Sequence, residues 1–181
     1  MVKGKKIAKI FRTSKALLIK REGEDFWVSD TYLLLRLSGR EANNFLSKYN
    51  GYRTTEDIPP LKPGQTYKKD SEKSRIIEED PIGVIISDYE GKDLITASLS
   101  NFCYKYKNRD CRMYRFGRQV GLFADRYSFV IDDIDSVTLA CDGVNEPLVV
   151  KSEGKIVGLV MPVRQSDDLV SDIRSLAKAA S

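Results

Sequence analysis

The chain contains no histidine. That absence removes the usual general base, the Ser-His and Cys-His nucleophile pairs and the commonest metal ligand. The expectation is therefore a protein that is not an enzyme and carries no cofactor and no metal. Cysteine is scarce as well: Cys103, Cys111 and Cys141 make an odd count with no close pairing. This argues against a disulfide framework or a zinc site and for reduced, structural thiols. No apolar run approaches the ~20 residues of a membrane span. The basic start lacks the unbroken apolar stretch and small-residue cleavage site of a signal peptide. A cytoplasmic protein without a membrane partner is the expectation. Gly64, Gly91, Gly117 and Gly121 have no phosphate-loop spacing, so nucleotide binding has no support.

Against these absences stand 181 residues, 41% of them hydrophobic and 31% charged, the balance of a folded globular protein. That length accommodates one compact domain with trimmings. The net charge is only +4, but it is unevenly placed. From Met1 to Arg21 there are eight basic residues and no acidic one, whereas Asp125 to Asp142 holds five aspartates and one arginine. Such asymmetry favours a polyanion on one face, and equally suits a solvated N-terminal arm.

The apolar pattern alternates between strands and helices. Ala16 to Lys20 and Phe26 to Val28 flank the turn Glu22-Gly23-Glu24-Asp25, and the second arm extends through Tyr32 to Leu37, which reads as a hairpin. Ser38 and Glu41 have capping-box spacing, and Ala42, Phe45, Leu46 and Tyr49 then recur at helical spacing as far as Asn50-Gly51. From Tyr52 to Ile82 the chain is polar and rich in proline, with no convincing regular element. A second hairpin is expected, with Gly83 to Ser87 against Asp93 to Ala97 and Glu90-Gly91-Lys92 at its tip. Phe102 to Arg118 interleaves five aromatic with six basic residues, as an exposed strand would. Asp125 opens a short helix with Tyr127, Val130, Ile131 and Ile134 on its apolar face. Three strands follow, over 136–140, 147–151 and 156–162, and then a terminal helix capped by Ser166 with Leu169, Ile173 and Leu176 on one side. The pairs Asp132-Asp133 and Asp167-Asp168 suit helix polarity better than a metal loop. Glu-Gly recurs at 22, 90 and 153, each time between apolar arms, as a faint internal repeat.

The segment Val120 to Arg164 resembles the C-terminal end of the bacterial DNA polymerase III beta sliding clamp. The matching positions are Tyr127 in a short helix, Val137 to Leu139, the Pro147-initiated strand, and a closing Met161-Pro162-Val163-Arg164. Phe26 to Leu34 is similar to the same family's Thr-Asp strand, with Ser29 in place of the usual threonine. The two blocks, 16–50 and 120–164, together cover 80 residues. The resemblance implies an α+β fold, a DNA-clamp-like domain of two pseudo-symmetric halves, with antiparallel sheets and one short helix per half. On this expectation residues 1–165 form a single domain with halves at 14–51 and 119–165. Residues 52–118 are then an inserted or variable region, and 166–181 a helical extension.

Carried over residue by residue, the resemblance makes Val160, Met161, Pro162, Val163 and Arg164 one wall of an apolar partner pocket and Ser29, Asp30, Thr31 and Leu34 another. In a single-domain chain the two walls meet only between head-to-tail copies. The plainer reading of Leu159 to Pro162 is a core strand with an edge terminator. DNA-contact candidates are Lys3, Lys5, Lys6, Lys9, Arg12, Arg40, Lys48, Lys105, Lys107, Arg112, Arg115 and Arg118, by phosphate contact and base stacking. The aromatic and basic run is equally a strand pair with aromatics inward and cations in water. The expected function is that of a sliding-clamp-like DNA replication accessory, from a host or a mobile element. Its partners would be DNA, a replication protein such as a polymerase, and further copies of itself. The alternative is a clamp-fold interaction or regulatory module that forms no ring.

Overall fold

The computed structural model describes residues 4–49, 54–70 and 73–179, with the side chains of 4–6, 174 and 176–179 left undescribed. The fold is α+β, and every strand pair described below is antiparallel. The chain divides into two compact units, residues 1–92 with 132–135, and 93–131 with 136–181.

In the first unit, helix α1 (Gly4–Phe11) precedes strands β1 (Ala16–Glu22), β2 (Asp25–Ser29) and β3 (Leu33–Leu37), and helix α2 (Gly39–Leu46) follows. The expected solvated arm is thus a helix. Ile7, Ala8, Ile10 and Phe11 form its buried stripe while Lys9 and Arg12 stay exposed. The expected long second hairpin arm is two strands. The chain turns at Asp30, whose buried carboxylate accepts from the backbone N–H of Tyr32 at 3.0 Å and of Leu33 at 2.8 Å. Thr31 sits in the left-handed region there, with φ +77°.

Register places Ile19 opposite Val28 and Val28 opposite Leu35. The N-terminus of α2 carries the expected capping box: Ser38 N donates to the Glu41 carboxylate at 3.0 Å, and Glu41 N to Ser38 Oγ at 3.4 Å. The helix ends at Leu46 with Ser47 as its C-cap, before the expected stop at Asn50-Gly51, which lies outside the described residues. Phe45, fully buried, meets Phe11 of α1 edge-on with ring centroids 5.3 Å apart.

The stretch expected to lack regular structure holds a 3-10 turn at Thr55–Asp57 and strands β4 (Thr66–Asp70) and β5 (Ser74–Ile77). The strand order in this unit is β5-β4-β1-β2-β3. The expected hairpin at 83–97 is absent. Its first arm is helix α3 (Pro81–Ser87), capped by Asp80, which accepts from Gly83 N at 2.8 Å. Pro at the first helical position and an Asp cap outweigh the β-branched run Val84-Ile85-Ile86. Ile82, Ile86 and Tyr89 are buried at helical spacing, and Lys20 of β1 reaches Asp80 at 2.6 Å. Glu90-Gly91 therefore ends a helix, and only two of the three Glu-Gly turns join strands.

The second unit contains β6 (Ile95–Tyr106), β7 (Arg109–Phe116), β8 (Gln119–Ala124), helix α4 (Asp125–Ser128), β9 (Val137–Cys141), β10 (Leu148–Ser152), β11 (Lys155–Val160) and helix α5 (Asp167–Ala179). Its strand order is β11-β10-β9-β6-β7-β8. The last three strands lie within two residues of their expected bounds. Asp125 is the first helical residue of α4 rather than its cap, since Ala124 occupies the cap without a side-chain bond. Leu169 and Ile173 of α5 bury against Cys111, Met113, Val120 and Leu122, so this helix docks on its own unit.

Replacing the fully buried Phe45 with Ala should lower unfolding stability by about 3–5 kcal/mol, because the packing of α1 on α2 then lacks a ring that the neighbours cannot refill. Urea denaturation followed by circular dichroism measures it, and Phe45→Leu should retain more than half of that stability.

Candidate nucleic-acid interface

Two separate groups of cations emerge from the fold. The first lies on α1 and the end of α2. Burial of Ile7, Ile10 and Phe11 turns Lys9 and Arg12 outward, and Lys15 is exposed just after the helix. The Arg12 guanidinium donates to the carbonyl of Lys48, which brings these two candidates together, and the Lys48 ammonium donates to Asn44 Oδ1. Ser14 Oγ donates to Asp30 at 2.5 Å and ties the exit of α1 to the β2–β3 turn. Lys15, absent from the sequence-based candidates, joins the group because the helix ends beside it. Lys3 and the side chains of Lys5 and Lys6 lie outside the described residues. Arg40 stands at the opposite end of α2 from Lys48, about 12 Å away along the axis. There it lines a groove of about 790 Å³ with Arg21, Phe26, Ile58, Pro59 and Pro60, but also with Glu24, Asp25 and Glu56. The acids offset the cations, and the groove is no anion site.

The second group lies in the β6–β7 hairpin. Its turn places Lys107 (φ +46°) and Asn108 (φ +62°) in the left-handed region, the geometry of a tight two-residue hairpin. Lys105, Lys107 and Arg109 are exposed there, and the Lys107 ammonium lies 5.2 Å from the Tyr106 ring centre. Tyr104 and Tyr106 are half-buried against the α5 cluster, while Tyr114 and Phe116 are fully buried. Most of the aromatics therefore serve packing, and Phe102, 45% exposed, is the one left for stacking in the run 102–118. Arg112 pairs with Asp125 of α4 at 2.6 Å, Arg115 is half-buried, and Arg118 is exposed in the β7–β8 turn. Lys107 and Arg118 lie at opposite ends of β7, about 25 Å apart at the rise of a strand. The run that is continuous in sequence is thus divided in space.

The partner-pocket candidates fall one wall to each unit. Ser29, Asp30 and Leu34 are buried, with Asp30 committed to its turn, so Thr31 and the neighbouring Tyr32 are what this wall exposes. At the other wall Val160 is buried, Met161 is 37% exposed and Arg164 is exposed. Pro162 bridges Phe123, and Val163 N donates to Leu122 O at 2.8 Å, which stitches the end of β11 to β8. Gln165 follows, buried, its backbone clasped by Asn145: Gln165 N donates to Asn145 Oδ1 at 2.8 Å and Asn145 Nδ2 to Gln165 O at 3.2 Å. No sequence signal pointed to this clasp.

Among the described residues, no group of three or more Cys, Asp or Glu stands ready for a metal ion, and no helix is long and apolar enough to cross a membrane. Cys103 is exposed, while Cys111 and Cys141 are buried. Burial pushes the Cys111 thiol up and the Cys141 thiol up to about 11, so neither is a thiolate near neutrality. No family model matches the chain, and no curated protein matches it.

At neutral pH a maleimide should label Cys103 rapidly in the folded protein and all three thiols only after denaturation, as counted by mass spectrometry. The stability carried by the protonated Cys141 is fully present below its ordinary value of 9.0 and is lost as pH rises through about 11. Cys141→Ala should therefore flatten the fall in melting temperature over that window.

Proposed function

We propose that the chain is a sliding-clamp-like accessory of DNA replication that acts without catalysis by holding DNA and replication proteins. The observation that carries this reading is a repeated run of elements. A helix followed by a three-strand antiparallel meander occurs twice, as α1-β1-β2-β3 and as α4-β9-β10-β11, the second time with a 3-10 turn at Ile131–Asp133 between helix and meander and with residues 132–135 belonging to the first unit. In both, the first meander strand gains a further antiparallel neighbour, β4 beside β1 and β6 beside β9, and that neighbour has its own hairpin partner, β5 or β7. Two halves of a pseudo-symmetric clamp domain would have this correspondence. It moves the first half's helix from α2, where the sequence pattern placed it, to α1.

The reassignment strengthens the DNA reading, because α1 holds the exposed Lys9 and Arg12, with Lys15 beyond it. A short helix with its apolar stripe buried and its cations outward meets a duplex through phosphates, without reading bases. The Met161 and Arg164 end of β11 is the proposed contact for a polymerase or another replication protein. A reading as an interaction module that encircles nothing draws on α4: Asp125 of that helix pairs with Arg112, and Asp132 just beyond is exposed. Only one of the two repeated helices is thus evidently cationic.

Fluorescence anisotropy on a labelled 30-base-pair duplex tests the DNA role. The triple change K9A, R12A and K15A should weaken binding and lower the magnitude of the salt slope by about 0.9 for each phosphate that is no longer neutralised. An unchanged slope would reject α1 as the DNA-binding element. Retention on circular DNA with release after linearisation separates a clamp from a module that only binds.

A further inference from the structure

Helix α5 is held to its unit by two side chains. Leu169 and Ile173, one turn apart, bury against the β7 and β8 residues beneath them. Asp167, Asp168, Ser171 and Asp172 are exposed, and the Ser175 hydroxyl donates back to Ser171 O at 3.0 Å. Among the described residues, no hydrogen bond or ion pair joins an α5 side chain to the sheet. The chain just ahead of the helix is fixed instead: Val163 N donates to Leu122 O, and Asn145 clasps Gln165. The helix therefore lies beyond a pinned point, and its release breaks two aliphatic contacts while the strands stay paired.

The seat holds more than a helix needs. Cys111, Met113, Val120 and Leu122 receive Leu169 and Ile173, and Tyr104 and Tyr106 of β6 pack beside them, half-buried. Register sets Tyr104 opposite Cys111 and Tyr106 opposite Arg109, and alternation along β7 puts Arg109, Cys111, Met113 and Arg115 on the same face. The face is thus two tyrosines and an apolar strip with an arginine near each end of β7. The segment that covers it starts with Asp167 and Asp168 and carries a third acid at Asp172. We propose that this face binds single-stranded nucleic acid and that α5 is its internal competitor. Bases stack on Tyr104 and Tyr106, while phosphates meet Arg109, Arg115 and Lys107, whose ammonium lies 5.2 Å from the Tyr106 ring centre. The acidic helix occupies the same ground until a strand displaces it. A duplex is excluded, since its bases already stack on one another.

This inference rests on α5 and its seat and not on the reading of α1. In the full chain, L169A/I173A should free the helix, read as labelling of Cys111 by maleimide under native conditions. The freed variant should bind an oligothymidine of about 15 bases about ten-fold more tightly than the parent, the scale of gaining one stacked base. Y104A/Y106A in that background should remove the gain, whereas K9A/R12A/K15A should leave it. The isolated peptide of residues 167–179, in excess, should displace the strand. The unaltered chain gives a second measurement, because competition is reciprocal: excess oligothymidine should speed hydrogen exchange of the α5 amides. Protection of Cys111 that survives L169A/I173A overturns the inference. So does a freed variant with no gain for the strand, a gain that persists without the tyrosines, or α5 exchange indifferent to the strand. A freed variant that takes up an amphipathic helical peptide but no strand overturns it in favour of protein docking.

Discussion

The contact between Phe11 and Phe45 is the constraint on which the first unit depends. Each ring is at most 1% exposed, and they meet edge-on at 5.3 Å, so α1 cannot rotate without opening a void under α2. Fixing the rotation of α1 fixes where its charges go. With Ile7, Ala8, Ile10 and Phe11 inward, Lys9 and Arg12 have only the outer face. A hydrophobic contact thus determines the position of the unit's cationic surface. Ser14 and Arg12 then bind the helix exit to Asp30 and to the end of α2, two polar contacts that hold the orientation without supplying its driving force.

Where local pattern and local chemistry agreed, the sequence was legible. β9, β10 and β11 alternate or run apolar between clear turns, and α2 announces itself by its capping box, so all four fall close to expectation. Where two signals compete, capping and burial outweigh composition. Val84-Ile85-Ile86 has the composition of a strand, yet Asp80 satisfies an N-terminal N–H and Pro81 presets the helical φ, and burial of Ile82, Ile86 and Tyr89 completes the helix. At the N-terminus the abundance of lysine hid a stripe at positions 7, 10 and 11 that has helical spacing. β4 and β5 could not be read because neither alternates apolar with polar residues: Lys68, Lys69 and Arg75 are strand residues through ladder bonds to β1 and to each other.

The candidate site was less legible than the fold, for a physical reason. Sequence adjacency overstates electrostatic cooperation. Lys105 to Arg118 reads as one basic run, but Arg112 is neutralised locally by Asp125, and the cations on either side of it sit at opposite ends of β7. Their separation of about 25 Å is about three Debye lengths at physiological salt, so they do not act as one patch. Arg12 and Lys48, 36 positions apart, come into direct contact. Burial likewise separates Asp30, whose carboxylate is spent on a turn, from Thr31 and Tyr32, which face solvent.

The uneven charge of a chain that is almost neutral overall follows from this division. A net +4 spread evenly would give a weak field everywhere. Here the fold collects cations on α1 and on the β6–β7 turn, and it uses acids elsewhere to cap α2 and α3, to hold the β2–β3 turn and to pair with Arg112. Much of the acidic charge is consumed in local structure, whereas Lys9, Lys15, Lys105 and Lys107 remain in solvent. Charge committed to caps contributes to stability within about one turn of a helix and little beyond it. Charge left on an exposed helix or hairpin is available to a partner. The sign of the surface that a partner meets is therefore set by which residues the backbone has already claimed, and only weakly by composition.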